Sequence, residues 1–526
     1  MKKSKTSIFI LLFLVISIFY PLISMLVNVK WDTFSELLTS EAFKSALSNS
    51  LIVTSIATVI SVTVAYILAY TINRTRIKHR AVLKVIITLP MLIPSISHGL
   101  GLINLFGANG IISSHFGFNI VGPIGIVLGS FIYSFPVAFL MLDDGFNYID
   151  NTMYDAAKVL GLNKWEMFKK VTMCYMKKPL LSSIFAVFTL IFTDYGVPLA
   201  VGGIYTTLPV FLYKQVIGLL DFSRGTMIGL FLLVPAFVSF IFDNVYKDYS
   251  FGDFSKKFEI KDNKVRDILL KIFLYLIILF VVVIIGSFVY YAFVDNPALN
   301  RSLSLKHFEY VLNDKLWPSL FNSLIVAISV SIIGTIMAYS VAYYTARIKT
   351  KLSKVAHILT ILSLTIPGIV LGLSYTICFR GTPIYNTYII LILVNIVHFI
   401  ATPYLMAYNA LQKVDPNYEV VAKTCNIPTF KIIKDVIVPC TKTTIREMFS
   451  YFFVNSMMTI SAVAFLFSTK TLPLSLLINN YEGDFLLGEA AIISLVILFF
   501  NFLVKFIVYF LNRKDYERSE KHELEL

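Results

Sequence analysis

Long apolar stretches separated by short charged ones dominate this chain, and their lengths set the first expectation. A helix crossing a bilayer core needs about 20 apolar residues. Val85 to Leu142 contains no Asp, Glu, Lys or Arg, which is room for two spans and a turn, and Ile272 to Val294 and Leu316 to Ala346 are also uncharged. The pattern predicts twelve helices, at 8–29, 50–71, 82–105, 121–142, 180–200, 226–243, 268–294, 322–344, 355–379, 384–408, 447–467 and 490–511. The expected fold class is an all-α polytopic membrane protein. Lys2, Lys3 and Lys5 before the first span are also how a secretory signal begins. The apolar stretch is longer than a signal core and no small-x-small site follows, so the segment is expected to stay as an anchor.

Composition agrees. Of 526 residues, 57% are hydrophobic and 14% charged, against about 45–50% and about 25% in soluble domains. An ordinary soluble enzyme, a disordered chain and a disulfide scaffold are excluded. Cys174, Cys378, Cys425 and Cys440 lie far apart, at no metal-ligand or redox spacing, and read as inert apolar fillers. The net charge of +14 leaves a nucleic-acid or anionic-membrane partner open until the charges are placed. With the N-terminus inside, the inner loops hold 34 Lys and Arg and the outer loops 9. That asymmetry puts both termini in the cytoplasm and makes the basic balance a topology signal, with no nucleic-acid partner.

The chain repeats itself. Asn49-Ser50-Leu51-Ile52-Val53 recurs unchanged as Asn322-Ser323-Leu324-Ile325-Val326, an offset of 273 that also pairs Ala65-Tyr66 with Ala338-Tyr339, Arg74 with Arg347 and Pro94 with Pro367. Further on the offset becomes 265, pairing Asp150 with Asp415 and Ala157-Lys158 with Ala422-Lys423, because the first half has eight extra residues in its outer loop near 107 to 120. Each half has six spans, so the halves enter the membrane in the same sense, a parallel repeat about an axis along the membrane normal. A pathway between two such halves points to transport.

Two inner loops carry more pattern than a linker needs. In the first, Asp155, Ala156, Ala157, Lys158 and Leu160 precede Gly161, and Trp165, Phe168, Val171 and Pro179 follow. This reads as a short helix, a glycine turn and a second short helix. In the second, Glu419, Val420, Val421 and Ala422 precede Asn426, a residue that tolerates positive φ, and Phe430, Ile433, Val438 and Pro439 follow. Two amphipathic helices lying on headgroups remain an alternative.

These loops resemble the EAA loop of permease subunits of binding-protein-dependent ABC importers: Glu-Ala-Ala, three residues, Gly, then an aromatic and a hydrophobic-Pro pair. Asp155-Ala156-Ala157 and Gly161 match with Asp for Glu and Cys174 where the Pro would stand; the second copy is degenerate, with Val438-Pro439 intact. Leu89-Pro90 to Leu105 and Ile366-Pro367-Gly368-Ile369-Val370-Leu371-Gly372-Leu373 are similar to the family's span ahead of the loop. The resemblance implies two parallel six-helix type I permease modules, like the fused importers for ferric iron, thiamine and phosphonates. It also implies that Asp155, Ala156, Ala157, Gly161, Trp165 and Phe168, and in the second loop Glu419, Val421, Ala422, Asn426, Phe430 and Pro439, dock on a cytoplasmic ATPase dimer. Expected boundaries are an anchor and outer loop over 1–44, a first module over 45–245, a linker, helix and outer loop over 246–318, a second module over 319–511 and a tail over 512–526. No G-x-x-x-x-G-K-[ST] loop occurs, so the chain is not expected to be an enzyme, and the ATPase and an extracytoplasmic binding protein are expected as separate partners.

Ionisable groups at membrane depth are functional candidates. Asp194 and Thr193 in the first half, and Ser456, Thr459 and Ser461 in the second, are candidates for lining the path. For Asp194 simple hydration at the outer interface stays open, and for the hydroxyls helix packing does. His98 and His398 are single and read as satisfied bundle histidines, Asp143 and Asp144 as a hydrated cap, and Pro94 and Pro367 as kinks. No metal site or cofactor is expected. The stretches 193–198, 213–218 and 455–463 look most like permeases for 2-aminoethylphosphonate and also resemble the ferric group, so phosphonate is the expected substrate and ferric iron or thiamine the alternative. A secondary transporter of six plus six spans is the competitor from another class; it predicts coupling charges in mid-membrane and does not call for the two loop helices.

Overall fold

A computed structural model describes residues 5–524 apart from 109, 114–118, 148, 246–257, 259, 261–262, 297–299 and 349. Part of the extra outer loop near 107–120 and most of the linker thus lie outside the described residues. In chain order the helices of the first half are α1 (Ile10–Val27), α2 (Glu41–Arg74), α3 (Arg80–Leu92), α4 (Ser95–Phe106), α5 (Pro123–Asn147), α6 (Asn151–Val159), α7 (Lys164–Thr193), α8 (Gly196–Val201), α9 (Leu208–Tyr213) and α10 (Phe222–Val245). The second half has α11 (Lys264–Phe293), α12 (Lys306–Asn313), α13 (Leu316–Arg347), α14 (Lys351–Thr365), α15 (Gly368–Phe379), α16 (Tyr388–Phe399), α17 (Ala401–Lys413), α18 (Asn417–Thr424), α19 (Thr429–Ile432), α20 (Lys442–Met458), α21 (Leu474–Gly483) and α22 (Leu487–Leu524). A small antiparallel hairpin, β1 (Val294–Asn296) and β2 (Asn300–Leu303), joins α11 to α12.

Eight helices, or eleven spans if three bent pairs count as one each, are long and apolar enough to cross a membrane among the described residues. These account for all the expected spans except 447–467. There α20 starts five residues earlier and stops at Met458, because Thr459 leaves the helical region with ψ 135°. Its 17 residues span about 26 Å at 1.5 Å per residue. The fifth span also shifts, ending at Thr193 instead of running to 200.

Pro94 and Pro367 do more than kink their helices. The chain bends by 99° between α3 and α4 and by 108° between α14 and α15. Freed backbone groups at such a break need partners in a membrane. His98 Nε2 lies 3.1 Å from the Pro90 carbonyl, and Asn501 on α22 donates to the Leu92 carbonyl at 2.8 Å. A second-half helix therefore satisfies a first-half break.

The halves interlock. Helix α1 packs on α14 and α15, where Tyr375 donates to the Ser17 carbonyl at 2.7 Å, whereas α11 packs on α2, α3 and α4, where Tyr291 donates to the Asn104 carbonyl at 3.1 Å. The leading helix of each half thus crosses to the other. One buried core contains residues of both halves, including Leu100, Tyr195 and Leu232 with Val370, Leu373 and Phe465, and a second belongs mainly to the first half.

The repeated Asn-Ser pair has a structural task. Ser50 Oγ accepts the Leu208 N–H at 2.6 Å and Ser323 Oγ the Leu474 N–H at 2.7 Å, so each serine satisfies a donor at the start of α9 or α21. Asn49 donates to the Thr206 carbonyl at 3.0 Å and Asn322 to those of Lys470 and Leu472 at 3.0 and 3.1 Å. Helix-start donors left bare in a low-dielectric interior are costly, which accounts for two identical solutions.

Two polar expectations change. Asp143 is not a hydrated cap: it is buried, 2.5 Å from Lys84 Nζ and 2.7 Å from Asn73 Nδ2, tying α2, α3 and α5 together. Cys174, Cys425 and Cys440 are exposed instead of filling the interior.

In the outer segments His307 uses both ring nitrogens. Nδ1 is 2.9 Å from the Glu489 carboxylate, and Nε2 is 3.0 and 3.1 Å from the carbonyls of Val294 and Asp295. Every partner is an acceptor, so the arrangement calls for the doubly protonated ring, and the Glu489 hydrogen bond raises the pKa of His307. A raised folded pKa gives stability that is fully present below the unfolded value of about 6.5 and lost as pH rises through the folded one. Detergent-solubilised protein is expected to lose a few degrees of melting temperature across that rise, given about 1.5–3 kcal/mol for charge-assisted bonds. His307→Gln should start lower and show no such step; a step of equal size in both proteins would reject the assignment.

Candidate coupling loops and translocation seam

The two loops fold alike. Asp150 caps α6 by accepting the Thr152 N–H at 2.9 Å, and Asp415, its repeat partner, accepts the Asn417 N–H ahead of α18 at 2.8 Å. Each short helix ends at a left-handed residue, Gly161 with φ 74° and Asn426 with φ 55°, which is why Gly and Asn occupy that position. Beyond the turn each chain enters a widened π turn, Phe168–Thr172 and Ile433–Ile437, at the same 265 offset. Asn163 and Glu166 form a reciprocal capping box at the start of α7.

The faces of these loops are unequal in chemistry. Ala157 and Ala422 are buried, whereas Ala156, Val421, Asn426 and Pro439 are exposed. Trp165 is 62% exposed and stacks on half-buried Phe168 at 5.6 Å, with Lys169 Nζ 4.9 Å above its ring. Phe430 is 76% exposed. Asp155 pairs with Lys158 at 2.5 Å on the α6 surface. Glu419 turns inward, its carboxylate 3.6 Å from Arg347, so it roots the loop instead of facing outward.

The roots obey the repeat with a change of chemistry. Arg347 also donates to the Val414 carbonyl at 2.8 Å. Its equivalent Arg74 is buried and lies 3.6 Å from the ring centre of Phe258 in the linker, 5.4 Å from Phe146 and 5.9 Å from Tyr154. Tyr154 stands where the second half has Glu419, so aromatic faces replace a carboxylate as partner of the cation. Sequence reading missed both roots, although the Arg74 and Arg347 pairing was a signal for them.

The path candidates lie at the helix breaks of their own halves, Thr193 and Asp194 just ahead of α8 and Ser456, Thr459 and Ser461 around the end of α20. Asp194 is half-buried and accepts the N–H groups of Val197 at 3.0 Å and Gly196 at 3.4 Å, capping α8. Thr193 donates back to the Thr189 carbonyl at 2.8 Å. Ser456 is buried with its hydroxyl unpartnered, and Thr459 gives its carbonyl to Ser475 Oγ at 2.6 Å. Ser461 Oγ packs directly against Gly368, where any Cβ would collide with it. In the first half the same contact is reversed: Ser95 Oγ packs against Gly196. Positions 95 and 368, and 196 and 461, are repeat equivalents, so each half has one serine and one glycine, on opposite sides. Gly99 and Gly372 keep the same approach close, with 2.6 Å and 2.7 Å to Ala200 Cβ and the Ala462 carbonyl from a built Cβ. The seam itself is bridged by Ser97 and Ser494, 2.8 Å apart.

His98 Nε2 faces the Pro90 carbonyl while its buried Nδ1 is unpartnered, and the buried Nδ1 of His398 is unpartnered too, so neither is the satisfied histidine expected. Among the described residues no group of three or more His, Cys, Asp or Glu could hold a metal ion.

A polytopic helical protein with two interlocked, repeat-related halves, a broken helix in each and a pair of capped surface loops is a two-module membrane permease. Residues 61–247 and 331–514 match the family described as binding-protein-dependent transport system inner membrane component, and the chain belongs to that family. It is therefore a multi-pass inner-membrane channel component of a binding-protein-dependent ABC transporter, not an enzyme. It is 26% identical over 460 residues to the ferric transport system permease protein of Actinobacillus pleuropneumoniae, covering 82% of this chain and 67% of that one. It is 20% identical over 455 residues to the thiamine transport system permease protein of Escherichia coli (strain K12), covering 82% of each.

Proposed function

We propose that the chain forms the translocation path of an ATP-driven ferric importer, with both termini in the cytoplasm and modules over 45–245 and 319–511 joined by the 246–318 segment. A separate ATPase dimer closes on the two capped loops, and an extracytoplasmic binding protein delivers the cargo. The observation that carries the coupling role is the exposure of Trp165 and Phe430 on loops that share caps, left-handed turns and π turns. Isolated exposed aromatics are ordinary, but two at repeat-related, internally capped positions suit the two clefts of a dimer.

The phosphonate expectation gives way to its alternative, because the similar permeases are named for ferric and thiamine transport and the ferric one matches this chain at higher identity than the thiamine one. The stretch 193–198 that suggested phosphonate is occupied with capping α8 and packing Gly196 on Ser95.

The test is uptake into proteoliposomes holding the chain, its ATPase and the binding protein encoded beside it. Radiolabelled ferric ion should accumulate with ATP, and 2-aminoethylphosphonate and thiamine should not. Accumulation of phosphonate without iron would return the substrate to the first expectation.

A further inference from the structure

The first coupling loop is anchored by a residue that lies outside both stretches matching the permease family, which end at 247 and resume at 331. Arg74, the last residue of α2, is buried, and its Nη2 has no hydrogen-bond partner. Three rings surround the guanidinium: Phe258 of the joining segment at 3.6 Å, Phe146 at the end of α5 at 5.4 Å and Tyr154 on α6 at 5.9 Å. Phe258 stands nearest, and its ring meets that of Tyr154 edge to face at 5.1 Å. The Tyr154 hydroxyl in turn lies 2.6 Å from Thr172 Oγ1, in the π turn beyond Gly161. The cage thus ties the ends of α2 and α5 to both sides of the loop's glycine turn, and the joining segment supplies its closing wall. The same segment reaches Arg74 a second time at its downstream end. Arg266, in the first turn of α11, donates from Nη2 to the Arg74 carbonyl at 3.3 Å and is held by Asp267 at 2.7 Å. A cation at the carbonyl end of a helix is favourable.

The second half shows what the architecture requires. There Arg347 finds its partners inside its own module: the Glu419 carboxylate at 3.6 Å, on the loop helix α18 itself, and the Val414 carbonyl at 2.8 Å. Both halves thus keep an arginine at the end of the same helix, facing its loop. Only the first uses a residue from between the modules. With Tyr154 in the place of Glu419, the first loop helix has no carboxylate to offer at that position. A buried cation without one is costly, and the negative face of an aromatic ring is the alternative partner. Phe258, as the closest ring, takes over what Glu419 does in the other half.

We propose that Phe258 is a positioning residue for energy coupling: by closing the cage on Arg74 from the joining segment, it holds α6 and the turn ahead of Trp165 in the attitude that the ATPase meets. The assignment rests on the coupling role of the two loops given above. Its consequence is that the two loops are held by different physics. The second is rooted by an ion pair within its module, whereas the order of the first depends on the segment between the modules, so the two contacts with the ATPase are not interchangeable. A ring that only filled space could be replaced by any apolar side chain of similar size. A ring that faces a cation cannot, because an aliphatic side chain has no negative face.

Phe258→Leu is therefore the discriminating variant, with Phe258→Tyr as the conservative one that keeps the ring face. Adding Tyr154→Glu to Phe258→Leu recreates the Arg347 and Glu419 pairing in the first half. Two readouts on the full detergent-solubilised chain separate the possibilities: amide hydrogen exchange in α6, with α18 as the internal control, and the affinity of the separate ATPase. Phe258→Leu should speed exchange in α6 about tenfold or more while α18 is unchanged, and should weaken ATPase binding on the order of tenfold. Phe258→Tyr should behave as the wild type, and the double variant should recover both readouts. Unchanged exchange in Phe258→Leu overturns the cage and leaves the coupling role of the loops intact. Faster exchange with the ATPase bound as tightly as before overturns the positioning role and the coupling role together. Should Phe258→Leu fail to fold, the double variant decides: wild-type exchange and binding support the cage, and a double variant that also fails overturns it.

Discussion

Replacing Trp165 and Phe430 together by glutamate is expected to abolish ATP-driven uptake while the membrane bundle stays folded. Both side chains project from capped loops and neither is buried in the bundle: Trp165 touches Phe168 and Lys169 on its own helix, and Phe430 is largely bare. Their removal therefore leaves the cores of the two halves untouched. Large aromatics at the centre of an interface each contribute about 2 kcal/mol or more, roughly thirtyfold in affinity apiece, and a carboxylate buried against a partner adds a desolvation penalty. The double variant should lose co-purification with the ATPase, and uptake should fall to background at unchanged melting temperature. Each single variant should lose less than the double, since one cleft stays engaged. Full uptake in the double variant would remove the loops from coupling.

The second large effect concerns the reversed contact at the helix breaks. Gly196→Ser places a side chain against Ser95 Oγ and 2.9 Å from the Ile96 nitrogen, and overpacking of this kind costs about 1–3 kcal/mol. Ser95→Gly removes the obstructing oxygen, and the double variant recreates the glycine and serine order that Gly368 and Ser461 already use. The remaining approach to Ile96 needs a shift of a few tenths of an ångström. Gly196→Ser alone should lower the melting temperature and yield; the double variant should recover most of both. A double variant no better than the single would mean that the two halves are not equivalent here.

Much of this was legible in the chain because it is written in long, redundant signals. Uncharged runs, the Asn-Ser repeat and the Ala-Lys pairs located the spans, the modules and the loops. Gly161 and Asn426 announced left-handed turns, and both turn. What stayed illegible depends on contacts between distant segments. Pro94 and Pro367 marked where helices break, but the near-right angles depend on what catches the freed backbone, including Asn501 four hundred residues away. Asp143 looked solvated because Lys84 and Asn73, its partners, lie on other helices. Glu419 looked like a docking residue because the inward reach of Arg347 is invisible to a linear reading. The 447–467 span failed at its end because Thr459 to Ser461 are as apolar in company as a helix, while the backbone there turns.

The central claim is that this chain is a path without an engine, driven through its two loops by a separate ATPase. The most direct measurement is ferric ion accumulation in proteoliposomes containing the chain and its binding protein, with and without the ATPase, in the presence of ATP and then of an imposed proton gradient. The account predicts accumulation with the ATPase and ATP, and none under either condition when the ATPase is left out. Accumulation driven by the gradient in the absence of the ATPase would contradict it and make the protein a secondary transporter.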